Sequence, residues 1–499
     1  MAKIYKAYQP EQDLLLPPSL KEWLPEKHLA YFVSDVVDEL DLSGMEAVYE
    51  KELRGQPPYD PRMMTKVLVY GYCVGVYRAR KMQQRLTEDV AFRVLGAGNK
   101  PDFRTLADFR KIHREVRKGL FEQVLKMELE VGAMKLGRVA LDGSKVKANA
   151  SKHKAMSYGR MEEQEKAIRQ QVKEMLAEAE AVDAEEDERY GKECTGDELP
   201  EEVQRRETRL KRIREAKRAL AERAGEKAKK EGKPVEKAQP KAKDQYNFTD
   251  PESRMMKSSS DGFVQAYNAQ IVVEPELQLI VGQAVTQAAN DKEQVAPMMA
   301  VVEAQSGQRP EAVIADSGYC WEKNLEGLES DQQPQRRIEV FMATERPKQG
   351  ERRVCGRGPL PKGATRVERM KRKLLTKAGA AIYATRKGIV EPVFGQIKEA
   401  RGFRRFSLRG FEKVKAEWAL VCATHNILKM YRVCYGEAEG EKCQAITKRT
   451  ATRRRSGRAE SIASAFSQLP ATADVSAHAM MPFNSILGRA PRIGACSKQ

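Results

Sequence analysis

RVALDGSKVKANAS, residues 138–151, decides how the chain is read. Val139, Ala140 and Leu141 have the texture of a buried strand's end, and Asp142 then stands where another aliphatic residue is expected. Burying a carboxylate costs free energy unless a partner offsets its charge. VIADSGY, residues 313–319, ends a second strand-like run the same way, with Asp316 at its terminus. Ligand sites of open α/β sheets gather at the carboxyl ends of strands. Singly, each Asp reads as a turn former or a helix N-cap. Together, in so basic a chain, they call for a counter-charge, and a divalent cation supplies one.

Around these two segments lie further strand-like runs, FVQAYNAQIVVE (263–274), LQLIVGQAVT (277–286) and IEVFMA (338–343), with helical stretches at 291–305 and 321–328. That order predicts an α/β sheet covered by helices. Residues 1–135 read as all-helical. In 25–40, Leu29, Phe32, Val33, Val36, Val37 and Leu40 form one apolar stripe. A second helix begins at Pro61, a residue suited to a first turn, and runs through VLVYGYCVGVY, 67–77. Short helices follow near 80–96, then a long one over 103–131. Arg104, Arg110, Lys111, Arg114, Arg117 and Lys118 cluster on the long one. They suit a helix-turn-helix-like DNA reader or the solvated basic face of an amphipathic helix, and both readings stand at this point.

Residues 160–245 interrupt the α/β pattern. Segment 178–202 holds 12 acids against 2 bases, and 205–243 holds 16 bases against 6 acids. Leu210, Ile213 and Leu220 give a thin apolar seam, so an antiparallel helical hairpin with opposite charges facing each other is expected, turning near YGKECTGDELP, 190–200. Its Lys/Pro-rich end reads as a linker, and the Ser/Ala/Arg-rich stretch 436–499 as a basic disordered tail.

The 499 residues carry a net charge of +18, which points to a polyanionic partner. Residues 351–415 alone hold 19 Lys/Arg against 5 Asp/Glu, interleaved with aromatics in GFRRFSLRGF, 402–411. The eight cysteines show no CxxC spacing, which argues against a zinc ribbon or disulfide framework. The longest apolar run is too short to span a bilayer, and no secretory leader is visible, so no membrane role is expected and a cytoplasmic, nucleoid-associated location is. The five histidines lack HxxxH or HExxH spacing, and GRGPLPKG (356–363) lacks the Lys-Ser/Thr ending of a phosphate loop.

A third acid is sought in YATRKGIVEPVFGQIKEARGFRRF, 383–406. Tyr383, Lys387, Glu391, Phe394 and Lys398 share one helical face. Pro392 predicts a kink or a fresh helix start around 388–392. The bland alternative is that Glu391 forms a surface ion pair. Asp250, Asp261 and Asp291 compete for the role but read as structural: Asp250 and Asp261 as turn residues, Asp291 as an N-cap or first-turn acid. Trp321 reads as a core residue or a stacking surface for DNA.

With these residues in view, the chain resembles the cut-and-paste DDE transposases of bacterial insertion sequences, in the branch with a Tyr–Arg–Glu–Lys signature and a helical N-terminal domain. The resemblance rests on DGSKVKANAS, IADSGY, the set Tyr383, Arg386, Glu391 and Lys398, the N-terminal GQPPYDPRMM and PDFRTLADFR, and the closing RGFEKVKAEWALVCATHNILKMYR; it spans roughly residues 15–435. Two departures stand out. Four residues separate Arg386 from Glu391, one more than in the signature, and the insertion follows the first strand, whereas better-known relatives carry it later.

The resemblance implies a ribonuclease-H-like α/β catalytic core with an all-α N-terminal domain and a helical insertion after the first core strand. The expected divisions are 1–135 for DNA binding, 136–159 and 246–435 for the core, 160–245 for the insertion and linker, and 436–499 for the tail. It further implies that Asp142, Asp316 and Glu391 are catalytic and hold two Mg2+ ions, with Mn2+ able to substitute. Tyr383, Arg386 and Lys398 would grip phosphates beside the scissile bond. Arg401, Arg404, Arg405, Arg110, Lys111 and Arg114 are the further DNA contacts expected. The expected partner is double-stranded DNA, both element ends and target, with a homodimer in the synaptic complex. The implied activity is end binding followed by metal-dependent cleavage and strand transfer. The alternatives are a DNA-binding protein with a vestigial nuclease core and a hydrolytic nuclease of the same fold. Because Lys and Arg contacts to phosphate release counterions, DNA affinity is predicted to fall steeply with salt, checked by titrating the dissociation constant against NaCl concentration.

Overall fold

The computed structural model describes residues 19–49, 57–130, 134, 136–190, 201–230, 232–234, 238–258, 261–329, 337–345, 360–361 and 363–435. The tail beyond 435, the turn 191–200 and most of GRGPLPKG lie outside the described residues.

Sheet formation starts from the stretch that opens this chain's core. β1 (Arg138–Lys147) is flanked on both edges, which is why Val139, Ala140 and Leu141 are all fully buried. On one side it pairs antiparallel with β5 (Gly262–Val273); on the other it pairs parallel with β7 (Ala312–Ala315), which pairs parallel with β8 (Glu339–Met342). The far edge of β5 is shared by β4 (Arg254–Ser258) and β6 (Ile280–Thr286). The sheet therefore mixes both pairings, with β1 at its centre. Helices α10 (Val295–Ser306) and α11 (Glu322–Glu329) carry the connections from β6 to β7 and from β7 to β8.

The N-terminal region is all-helical among the described residues: α1 (Leu29–Glu39), α2 (Ser43–Tyr49), α3 (Pro61–Cys73), α4 (Ala79–Glu88), α5 (Val90–Leu95), α6 (Phe103–Ile112) and α7 (Arg114–Glu130). Two boundaries differ from the sequence reading. Helix α3 stops at Cys73, because Gly75 turns left-handed at φ 78° and brings the chain against the Arg401 carbonyl, where a side chain would not fit. The helix expected over 103–131 divides at His113, whose ring meets the Tyr49 hydroxyl at 2.9 Å. On either side of that break Arg110 and Arg117 turn inward and are buried.

Between β1 and β4 the chain leaves the sheet. Strands β2 (Ala155–Ser157) and β3 (Gln245–Asn247) pair as a short ribbon from which α8 (Tyr158–Tyr190) and α9 (Glu201–Lys230) project. Met161 and Ile168 pack against Leu210, Ile213, Ala216 and Leu220. Glu165 of α8 pairs with Arg214 at 3.3 Å and Lys217 at 3.0 Å on α9, so charge complementarity runs alongside the apolar seam.

After β8 come α12 (Arg366–Leu375), α13 (Lys377–Ala384), α14 (Arg386–Gly395) and a π-helical turn at Gln396–Ala400. The closing α15 (Phe411–Tyr435) is buried on almost every side from Ala416 to Met430, as befits a helix sandwiched between the sheet and the N-terminal helices. Glu417 is the acid in that apolar run. It accepts hydrogen bonds from Tyr72 Oη (2.9 Å), Arg110 Nη2 (3.4 Å), Ser407 N (3.0 Å) and Leu408 N (3.0 Å), joining the N-terminal helices to the core. No helix among the described residues is long and apolar enough to cross a membrane. Replacing Glu417 by Leu strands the buried Arg110 charge and is predicted to cost about 3–5 kcal/mol, read as a lowered urea midpoint; an unchanged midpoint would mean the pair is energetically neutral.

Candidate active site

Register brings the two aspartates together. Leu141 of β1 stands opposite Ala315 of β7 in the parallel pair, so the next residues, Asp142 and Asp316, sit side by side one strand spacing apart, about 4.8 Å. Each carboxylate is steadied by its own backbone: Asp142 Oδ1 accepts from Gly143 N and Asp316 Oδ1 from Gly318 N, both at 2.8 Å. Gly143 has to be glycine here, since a Cβ would collide with the Gln270 amide directly across the ladder on β5.

Burial pushes the Asp142 carboxyl up to about 6, against the opposing pull of Arg386, and the neighbouring Asp316 and Asp291 charges push the same way. Its side chain is 20% exposed, too buried for water alone to offset its charge. The partner is Arg386, at the start of α14. Its Nη1 lies 3.3 Å from Asp142 Oδ2, and its Nη2 lies 3.8 Å from Glu391 Oε1, further along the same helix. One guanidinium thus spans two of the three acids. Tyr383 is half-buried, and burial pushes its phenol up against the opposing pull of the nearby Arg386 charge.

Glu391 is placed less tightly than its companions. Its side chain is 58% exposed and directed to Arg386. Among the described residues no three His, Cys, Asp or Glu side chains stand together at metal-binding distance. The expected helix restart also shifts: α14 begins at Arg386 and carries Pro392 in its interior, and the irregularity comes later, in the π-turn that holds Lys398. Lys398 Nζ donates to Ser144 Oγ and, at 2.9 Å, to the Lys145 carbonyl, which ties the π-turn to β1 just past Asp142.

Several residues of this site escaped the sequence reading. Asp291, expected to cap a helix, instead accepts from Lys145 Nζ (3.2 Å), Asn268 Nδ2 (2.6 Å) and Gln270 Nε2 (2.7 Å); Gln294 occupies the N-cap of α10. The Tyr319 hydroxyl donates to Gln270 Oε1 at 2.5 Å, and burial keeps that phenol protonated. Asn268 and Gln270 alternate along NAQIVV, two polar residues on one face of a central strand, and that period was the available signal. Asp250 is not merely a turn residue: it is buried and accepts the Tyr267 hydroxyl at 2.9 Å. Asp261 pairs with Lys147 at 2.7 Å. Trp321 is partly exposed beneath the Lys323 amine.

The basic residues divide into two sets. Lys111, Arg114, Arg404 and Arg405 are exposed. Arg110 and Arg401, expected at the DNA surface, are buried instead. Arg110 is spent on Glu417, and Arg401 donates to Thr424 Oγ1 (2.9 Å) and the Val421 carbonyl (3.4 Å), because both elements pack into the seam around α15.

Residues 228–427 match the transposase DDE domain family, and residues 18–112 match a transposase domain family, DUF772. Together they indicate a DDE-type DNA transposase. The DDE match implies a ribonuclease-H-like core, in keeping with the mixed sheet, and includes Asp316 and Glu391; Asp142, ahead of the insertion, falls outside it and is brought beside Asp316 by strand pairing. No curated protein and no solved structure matches the chain.

The donor set suits a hard divalent cation, being oxygen-only and, at Asp142, a carboxylate whose charge burial disfavours. Lys398 supplies a check on how tightly the π-turn is docked. Burial pushes its amine from 10.5 down to about 8, so while protonated it costs stability, and that cost fades as pH rises from about 8 toward 10.5. Relative to Lys398→Met, wild type is predicted to gain melting temperature between about pH 7 and pH 9.5; parallel curves would show the amine to be solvated.

Proposed function

We propose that this transposase binds the ends of its own insertion sequence, cuts them and joins them to target DNA, with Asp142, Asp316 and Glu391 as catalytic acids and ligands of two Mg2+ ions. It is read as a member of the Tyr–Arg–Glu–Lys branch. The observation that carries this is the juxtaposition of Asp142 and Asp316 at adjacent strand ends, with Arg386 reaching from Asp142 to Glu391.

When bound, the metal pair activates the attacking oxygen and stabilises the leaving 3′-oxygen of an in-line displacement, and Mn2+ would serve similarly. The chain's own part is placement. Asp142 and Asp316 are fixed by strand register and by backbone N–H donors, so they need no reorganisation to receive cations. Arg386 holds positive charge among the acids and, as substrate arrives, is the group poised to trade carboxylate for phosphate, since its fork suits both. Tyr383 steadies that guanidinium. Lys398 acts on β1 through Ser144 and Lys145, and in this role it positions Asp142's strand as much as it touches DNA.

Duplex DNA would be gripped by the exposed Lys111, Arg114, Arg404 and Arg405, with the N-terminal region 1–135 reading the element ends. The core would comprise 136–159 and 246–435, interrupted by the 160–245 insertion, with a basic tail at 436–499. Two ends must be joined, so a homodimer in the synaptic complex is part of the proposal.

Asp142→Asn, Asp316→Asn and Glu391→Gln, each assayed on a plasmid carrying the element's terminal repeats, are predicted to retain DNA binding and to lose nicking by a factor of about 100 or more in Mg2+. EDTA is expected to abolish wild-type nicking. Near-normal nicking by any one variant removes that residue from the site, and nicking without joined product favours a hydrolytic nuclease.

A further inference from the structure

Pro392 gives α14 an unusual defect. A proline inside a helix has no N–H to offer the carbonyl four residues back, here Gly388. Gly388 is itself exposed, so a protein donor at its carbonyl competes with water, and what it adds is a fixed geometry. At Gly388 the missing donor comes from another part of the fold: Gln278 Nε2 lies 2.9 Å from the Gly388 oxygen. Gly388 lies between Arg386 and Glu391, two residues past the arginine and three before the acid.

Gln278 belongs to the loop between β5 and β6, and that loop is built to aim it. The Glu274 carboxylate accepts from Glu276 N (2.7 Å), Leu277 N (2.8 Å) and Leu279 N (2.9 Å), clamping the turn from inside. Gln278 itself takes a left-handed backbone at φ 59°, which a non-glycine residue adopts only when its surroundings over-determine it. What holds it is α15: Lys429 Nζ donates to Gln278 Oε1 at 2.7 Å, and His425 Nε2 meets the Gln278 carbonyl at 3.0 Å. With the Oε1 end fixed by an ammonium, the amide nitrogen has to face Gly388.

We propose that Gln278 is a positioning residue for Glu391, replacing the helix hydrogen bond that Pro392 removes and so fixing α14 against the sheet that carries Asp142. This rests on the reading of Glu391 as the third acid. Gln278 touches neither substrate nor the acids, and its effect passes through the Gly388 carbonyl.

The test is a double-mutant cycle in the full-length protein, read as the single-turnover nicking rate in Mg2+ on the terminal-repeat plasmid. Gln278→Glu keeps an oxygen for Lys429 and the backbone carbonyl for His425, but turns an acceptor toward Gly388. It is predicted to nick roughly tenfold more slowly, with end binding and melting temperature near wild type. Pro392→Ala restores an N–H to the Gly388 carbonyl, so in that background Gln278→Glu should change the rate by less than about threefold. Equal losses in both backgrounds, or no loss in either, overturn the proposal. Should Gln278→Glu not fold, Gln278→Met carries the same cycle. Glu391→Gln runs alongside: if it nicks normally, the reading of Glu391 fails, whereas an inactive Glu391→Gln with an additive cycle sinks only the role of Gln278.

Discussion

A single guanidinium organises this site. Arg386 lies within ion-pairing range of both Asp142 and Glu391 while its own side chain is only 12% exposed. Burial works against the Arg386 charge, and the acids and phenol around it more than restore it, so the cation stays charged where a lone arginine would be penalised. Remove that charge and Asp142 keeps only its Gly143 N–H donor beside Asp316. The fold therefore tolerates two neighbouring aspartates at the end of a buried strand pair because a helix from late in the chain delivers a cation beside them.

That delivery depends on how α14 is held, and the support is distributed. The π-turn after it is pinned to β1 by Lys398, its proline defect is met by Gln278, and the loop bearing Gln278 is fixed by Glu274 from within and by α15 from outside. α15 is in turn welded to the N-terminal helices through Glu417. Helix irregularities of this kind, a π-turn and an internal proline, concentrate at functional sites because they re-aim side chains that a regular helix would place elsewhere. Here they bracket Glu391 on its C-terminal side, starting with the very next residue.

Much of this was legible in the sequence, and what was not has a common cause. The strands at 138, 263, 280, 312 and 339 show as apolar runs because central strands bury both faces, and the two aspartates show as charges interrupting them. β4 was not legible: RMMKS has little alternation, and its pairing is decided by the β5 partner. The early end of α3 had a local signal in Gly75, whereas the break at His113 is set by the contact of its ring with Tyr49, which no local pattern encodes. Asp291 read as a cap because DKEQ resembles a helix start. Only the folded sheet shows that Asn268 and Gln270 reach it first.

Charge was legible in amount but not in address. The excess of Lys and Arg in 351–415 points to a polyanion, yet the residues in it do different work: Arg386 compensates acids, Lys398 docks a turn, Arg401 closes a buried seam, and Arg404 and Arg405 face outward. Arg110 repeats the lesson at the N-terminal end, lying beside the exposed Lys111 but buried against Glu417. An arginine's long apolar stem and always-charged fork suit it equally to an interior carboxylate and to a phosphate, so composition cannot separate the two uses. Burial can, and it leaves as candidate DNA contacts those cations whose partners are exposed acids, such as Lys111 with Asp108 and Arg404 with Glu399, because such pairs are weak enough to be exchanged for a phosphate.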